Sequence, residues 1–188
     1  MESTYTETIS ALGIYSALLS IEQKQLLELS KCEDADIARL FALKELYPKL
    51  LDKDYILELG AYYDPIRRCL ENDSGSLRSD RYSLDSCILG ERVLFSEPYF
   101  SAWYTPHNIV GKIAEGLGKV NSKNLRLLYD SILSVDPEAM IRTPYGPEPV
   151  FGDQDFEHTW NCYIQLQPFF ERANKLGHDV VFALHGDV

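Results

Sequence analysis

LQPFFERANKLGHDVVFAL, residues 166–184, decides the fold, because within a few residues it passes from helix to strand. As far as Leu176 it continues a helical pattern that starts near Asp155, with Pro168 inside it. A proline there has no N–H to donate and crowds the carbonyl four residues back, so the helix is expected to kink or split. Gly177 is placed to close it, since glycine enters the left-handed conformation without penalty. The run DVVFAL, residues 179–184, lacks the alternation of a half-exposed strand, which predicts a strand covered on both faces.

Outward from this unit, helical and extended patterns interleave. GIYSALL reads as a strand near 14–19, and Ser20-Ile21-Glu22-Gln23 has the form of a capping box opening a helix near 21–30. DADIARLFALKELYPKL spaces Ile37, Leu40, Phe41 and Tyr47 at helical intervals, predicting a helix near 34–47 that ends before Pro48. YILEL is a candidate strand, and Asp64-Pro65 starts a further helix. SCILG and ERVLF read as strands over 87–95, followed by a strand near 99–104. Thr105-Pro106 opens a helix near 106–117, Ser122 caps one near 123–133, and DPEAMI is a short helical turn. The expected class is therefore α/β or mixed α+β, a single domain over 1–188 with one mixed β-sheet flanked by helices. At 188 residues the chain can bury one sizeable core, and the polar stretch 71–83 reads as a surface loop within it. Trp103, Phe100, Phe169 and Phe182 are the expected large core residues.

Charge excludes one class of partner. Acids outnumber bases 29 to 18, a formal net charge of -11, and such a field repels phosphate backbones. Nucleic acid is not an expected partner. The longest apolar stretch near the start, ISALGIYSALLSI, is serine-interrupted and follows Glu2 and Glu7, unlike a signal peptide or a membrane span. A cytoplasmic protein with no membrane partner is expected. Cys32, Cys69, Cys87 and Cys162 form no CxxC pair, so neither a zinc knuckle nor a redox dithiol is written here.

Candidate chemistry is sparse. GKIAEGLGK, residues 111–119, lacks the Lys-Ser/Thr pair that a phosphate loop needs, and reads as a helix with a glycine at its end. Phe95, Tyr99, Phe100, Trp103 and Tyr104 could stack a ligand ring, although their β-like composition favours core and sheet packing. Asp155 and His158 share a helical face, too few ligands for zinc, and no metal or other cofactor is expected. Cys162 lies one turn beyond His158, but its apolar neighbours argue for burial. No GxSxG nucleophile motif occurs.

RTPYGPEPVFGDQDFEHTW, residues 142–160, is the most distinctive polar stretch. Three prolines and two glycines break it, and Glu148, Asp153, Asp155 and Glu157 meet no base before His158. Residues 134–188 carry nine acids against three bases, a concentration of the chain's negative charge.

The order GIYSALLSIEQ, LELGAYYDPIRRCL, ILGERVLF, YTPHNIVGKIAEGL, LYDSI…PEAM and LQPFFERANKLGHDVVFAL is similar to that of the YfbM-like family of small bacterial proteins, which carry a domain of unknown function. The resembling features are the S-x-E-E/Q start at Ser20 to Gln23, LxL at Leu57 to Leu59, ILG at Ile88 to Gly90, and Thr105-Pro106. The chain departs from the pattern in an extended start before Gly13, in the 71–83 loop, and in carrying Tyr62 or Tyr63 at a tryptophan-like position. The resemblance implies a three-layer fold, helices packed on a mixed sheet, and no established catalytic residue.

The leading functional expectation is a non-catalytic binding protein. It would be an intracellular immunity protein that neutralises a cognate bacterial toxin through an acidic surface built from Glu148, Asp153, Asp155 and Glu157, all expected to be exposed. Its partner would be a basic protein such as a secreted toxin. The alternatives are a small-molecule-binding or regulatory protein with an aromatic pocket, and an enzyme built on His107 or His158 with a carboxylate.

Overall fold

The computed structural model describes residues 14–71, 84–135 and 153–186. The DPEAMI turn, most of the 71–83 loop and Glu148 lie outside these residues. Strand β1 (Ile14–Ile21) leads into helix α1 (Gln23–Ser30). Helix α2 (Ala35–Phe41) then runs through a π-helical turn (Ala42–Leu46) into α3 (Tyr47–Leu51). Strand β2 (Ile56–Glu58) and a 3-10 turn (Gly60–Tyr62) precede α4 (Tyr63–Glu71). Next come α5 (Ser86–Leu89), β3 (Arg92–Glu97) and β4 (Phe100–Thr105). Helices α6 (His107–Leu117), α7 (Ser122–Val135) and α8 (Asp153–Leu176) are followed by β5 (Asp179–Gly186).

The five strands form one sheet in the order β2-β1-β5-β4-β3. The α+β class and the flanking helices are as expected, but every pairing is antiparallel, where a mixed sheet was expected. The reason lies in the helical excursions. Thr105, the end of β4, pairs with Val180 at the start of β5, so α6 to α8 leave and return at the same end of the sheet. Helices α6 and α8 run side by side in opposite directions. Gly111 faces Asn174, and Gly118, seven residues on at the end of α6, faces Gln167, seven residues back in α8. An excursion that goes out and comes back restores an antiparallel neighbour; a parallel pair needs a one-way crossover.

Two apolar layers sandwich the sheet. Leu18, Val180 and Phe182 meet α4 to α8 through Ile66, Cys69, Ile113, Tyr129, Leu166 and Phe170. The alternate residues Ala17, Leu19, Ile21, Val181 and Ala183 meet α1 to α3 through Leu29, Ala38, Leu46 and Leu50. Strand β5 is thus covered on both faces, as its unbroken apolar run predicts. Phe100, Phe169 and Phe182 are buried; Trp103 is only partly so, packed beside Phe182 at a centroid distance of 5.8 Å.

Several local expectations change. Ser20 is the penultimate residue of β1 and caps nothing; the capping box is Glu22 with Gln25, two residues later. The stretch SCILG is helical, ending at Gly90 with φ of 59°. In α2 and the π turn that follows, the alanines Ala35, Ala38 and Ala42 pack into the core on the sheet, while Ile37 and Leu40 of α2 are each 45% exposed. Small residues let the helix lie close on the strands, which turns the larger apolar pair outward. That helix also passes Pro48 instead of ending before it, the π turn lying directly upstream. Helix α8 likewise continues as one element across Pro168. The carbonyl that Pro168 cannot satisfy is that of Ile164, and both residues lie on the exposed side, where water can bond it.

Candidate functional site

The first turns of α8 hold three of the four acids singled out from the sequence, and they do not form one surface. Asp153 and Glu157 are exposed, one turn apart. Asp153 Oδ1 pairs with Arg126 Nη1 at 2.7 Å; Arg126 also bonds Asp130 and lies over the Phe156 ring, 5.0 Å from its centroid. Asp155, expected to be exposed, is only 1% so. The helical period explains it: Asp155 and Phe156 begin the inward stripe that continues through Thr159, Tyr163 and Leu166.

Buried Asp155 is held by the Tyr129 hydroxyl of α7, which donates to its Oδ2. Burial pushes the Asp155 carboxyl above its ordinary range, opposed by the Tyr129 bond and by the nearby His158. Burial, then the Asp155 contact, pushes the Tyr129 phenol far up as well. Asp155 Oδ1 and the Thr159 hydroxyl, both buried, have no hydrogen-bond partner among the described residues. Thr159 is 0% exposed.

The histidines are dispersed. His158 is exposed and its ring lies tilted beside Tyr62, with centroids 5.9 Å apart. Cys162, one turn on, is half-buried, and burial raises its thiol, so no activated thiolate stands beside His158. The Cys69 thiol is pushed up to about 12 by burial, and that of Cys87 higher still. His107 is exposed at the start of α6, where its main-chain N–H donates to Asp179 Oδ1 at 2.8 Å. Among the described residues, no three of His, Cys, Asp and Glu converge as metal ligands.

One pairing escapes sequence inspection altogether. Ser20 Oγ lies 3.0 Å from His178 Nδ1, both side chains buried, with the Tyr55 ring edge-on to the imidazole. Burial lowers the His178 pKa, the neighbouring Glu22 opposing it. The two residues stand 158 positions apart, and only the pairing of β1 with β5 brings them together.

The aromatic cluster is divided by strand alternation. Trp103 packs on the α4–α8 side, whereas Phe95, Tyr99, Phe100 and Tyr104 pack on the α1–α3 side. The aromatic pocket therefore does not assemble from these five. Around Tyr99 a different feature appears. Burial first, then Asp36, Glu97 and Asp34, raise its phenol, with Arg39 opposing. These three carboxylates are exposed, and Ile37 and Leu40 stand exposed on the same helix as Asp36. Three exposed carboxylates, with Arg39 4.0 Å from Asp36, thus gather near Tyr99 where α2 meets the β3–β4 hairpin, which the sequence hides because its parts lie some sixty residues apart.

The sheet order, the two-sided core and the position of β5 allow comparison with known proteins. The family model for a domain of unknown function, DUF1877, matches residues 12–183. The chain belongs to the DUF1877 family. Among solved structures, it is similar to the crystal structure of a protein of unknown function, YfbM from Escherichia coli, with a TM-score of 0.63 and 13% sequence identity. That match covers 90% of this chain and 99% of the other, and at that identity it speaks for the shared fold alone. No curated protein matches the chain. The YfbM-like resemblance in the sequence thus meets a DUF1877 member with the matching fold. No helix among the described residues is long and apolar enough to cross a membrane.

Proposed function

We propose that this DUF1877 protein is a non-catalytic binding protein, an intracellular immunity protein that covers a basic surface of a cognate toxin. The observation that carries the reading is the patch of Asp34, Asp36 and Glu97 around Tyr99, with exposed Ile37 and Leu40. Apolar side chains rimmed by one sign of charge supply contact area together with long-range attraction for a partner of opposite sign. The overall charge of -11 acts in the same direction. Within this reading the acidic face moves from the 148–157 segment to α2 and the β3–β4 hairpin because Asp155 is buried; Asp153 and Asp36 each have an arginine beside them, Arg126 at 2.7 Å and Arg39 at 4.0 Å.

The test begins with co-purification from the native cell, followed by association rates measured at low and high salt. Asp36→Lys with Glu97→Lys is expected to slow association at least tenfold at low salt and to flatten its salt dependence. Asp153→Lys with Glu157→Lys is expected to change it little. If the second pair, and not the first, controls the rate, the interface belongs on α8. If neither does, or the captured partner is acidic, the reading is wrong.

A further inference from the structure

The Asp155–Thr159 pair on α8 is the most unusual polar feature in the core. Both residues are at most 1% exposed and stand one turn apart, so they share a helical face. That face looks toward α7, because the Tyr129 hydroxyl reaches Asp155 Oδ2 and the Tyr129 ring meets Phe156 at 5.4 Å. The carboxylate's second oxygen, Oδ1, and the Thr159 hydroxyl are left without a partner. Buried polar atoms are bonded in the great majority of cases, and an orphan costs about 1–3 kcal/mol. Two orphans one turn apart on one face are better explained by a shared occupant than by two separate losses.

We propose that Asp155 Oδ1 and Thr159 Oγ1 form a buried binding site for one small hydrogen-bonding species of the size of water or an ammonium ion. The donor set defines the class. A carboxylate oxygen and a hydroxyl can serve a tetrahedral O–H or N–H donor, whereas a group needing three or more charged ligands has too few here. An occupant bonded to both atoms would tie the first two turns of α8 to one another and, through Asp155, to Tyr129 of α7. Arg126 does not fill the place, since its guanidinium is spent on Asp130 and Asp153.

The sign of one substitution separates a filled site from an empty one. Thr159→Val keeps the shape and removes the hydroxyl. With an occupant, it strands a bonded group and lowers the melting temperature; with a true orphan, it removes an unmet hydroxyl and raises it. The expected result is a fall, with Thr159→Ser close to wild type. A crystal structure of the full chain should show density within hydrogen-bond distance of both atoms, lost in Thr159→Val. Melting in ammonium chloride against sodium chloride at equal ionic strength then identifies the occupant, a rise in ammonium marking the ion and no difference marking water. Three results overturn the site. These are a rise in melting temperature for Thr159→Val, a crystal structure with Thr159 Oγ1 bonded to the Asp155 carbonyl, and a side chain from residues 136–152 occupying the place.

Discussion

Asp155 illustrates how one buried carboxyl makes stability depend on pH. Its folded pKa lies above its unfolded one, so the folded state holds the proton more tightly. The stability this group contributes is complete below the unfolded pKa and is lost as pH rises through the folded one. His178 has the opposite sign: its folded pKa is depressed, so its contribution is complete above the unfolded value and is lost as pH falls through the folded value. Thermal unfolding followed across pH should therefore show Asp155→Asn gaining on wild type as pH climbs out of the carboxyl range. His178→Gln should lose less than wild type on acidification below the ordinary histidine range. Parallel curves for wild type and both variants would mean that neither group is linked to folding.

Among the elements, glycines at chain reversals give the sharpest contrast. Gly90, between α5 and β3, has φ of 59°, and a Cβ there would lie 2.7 Å from the Tyr104 carbonyl oxygen. Gly177, between α8 and β5, has φ of 72° but open space around it. Gly177→Ala should cost about 1–2 kcal/mol, the left-handed penalty alone. Gly90→Ala adds a clash with backbone that cannot rotate away, and should cost about 3 kcal/mol or more in chemical denaturation. Equal losses would show that contact with Tyr104 is unimportant. The two glycines also mark what the sequence makes legible. Gly177 is readable because a long helical pattern stops at it and an apolar run follows. At Gly90 the apolar SCIL suits a buried helical turn or a strand equally, and only the packing of Cys87 and Ile88 against α4 to α8 decides. The helical spacing of Ile37 and Leu40 does not say which face turns inward, and close approach of α2 to the sheet buries the alanines instead. Acidic residues carry no such pattern, so Asp155 was indistinguishable from Asp153 until the phase of α8 was known.

For the whole molecule, the decisive element is β5, which pairs with β1 over eight residues and with β4 over six. It has no open edge, and apolar layers lie on both sides. Its central amides, Val181 to Ala183, should open only with global unfolding, and hydrogen exchange should rank them slowest in the chain. Faster exchange there than in α6 would mean that the sheet can part while the helices stay folded. The antiparallel order carries a further implication for synthesis. Strand β5 is the last of the five to be made, yet its place lies between β1 and β4. Until residues 179–186 have left the ribosome, the β1–β2 pair and the β3–β4 hairpin lack the strand that joins them, and each would leave an apolar flank open to solvent. The nascent chain must therefore wait, with four strands finished and no sheet to join, and that interval is when a chaperone would have most to hold.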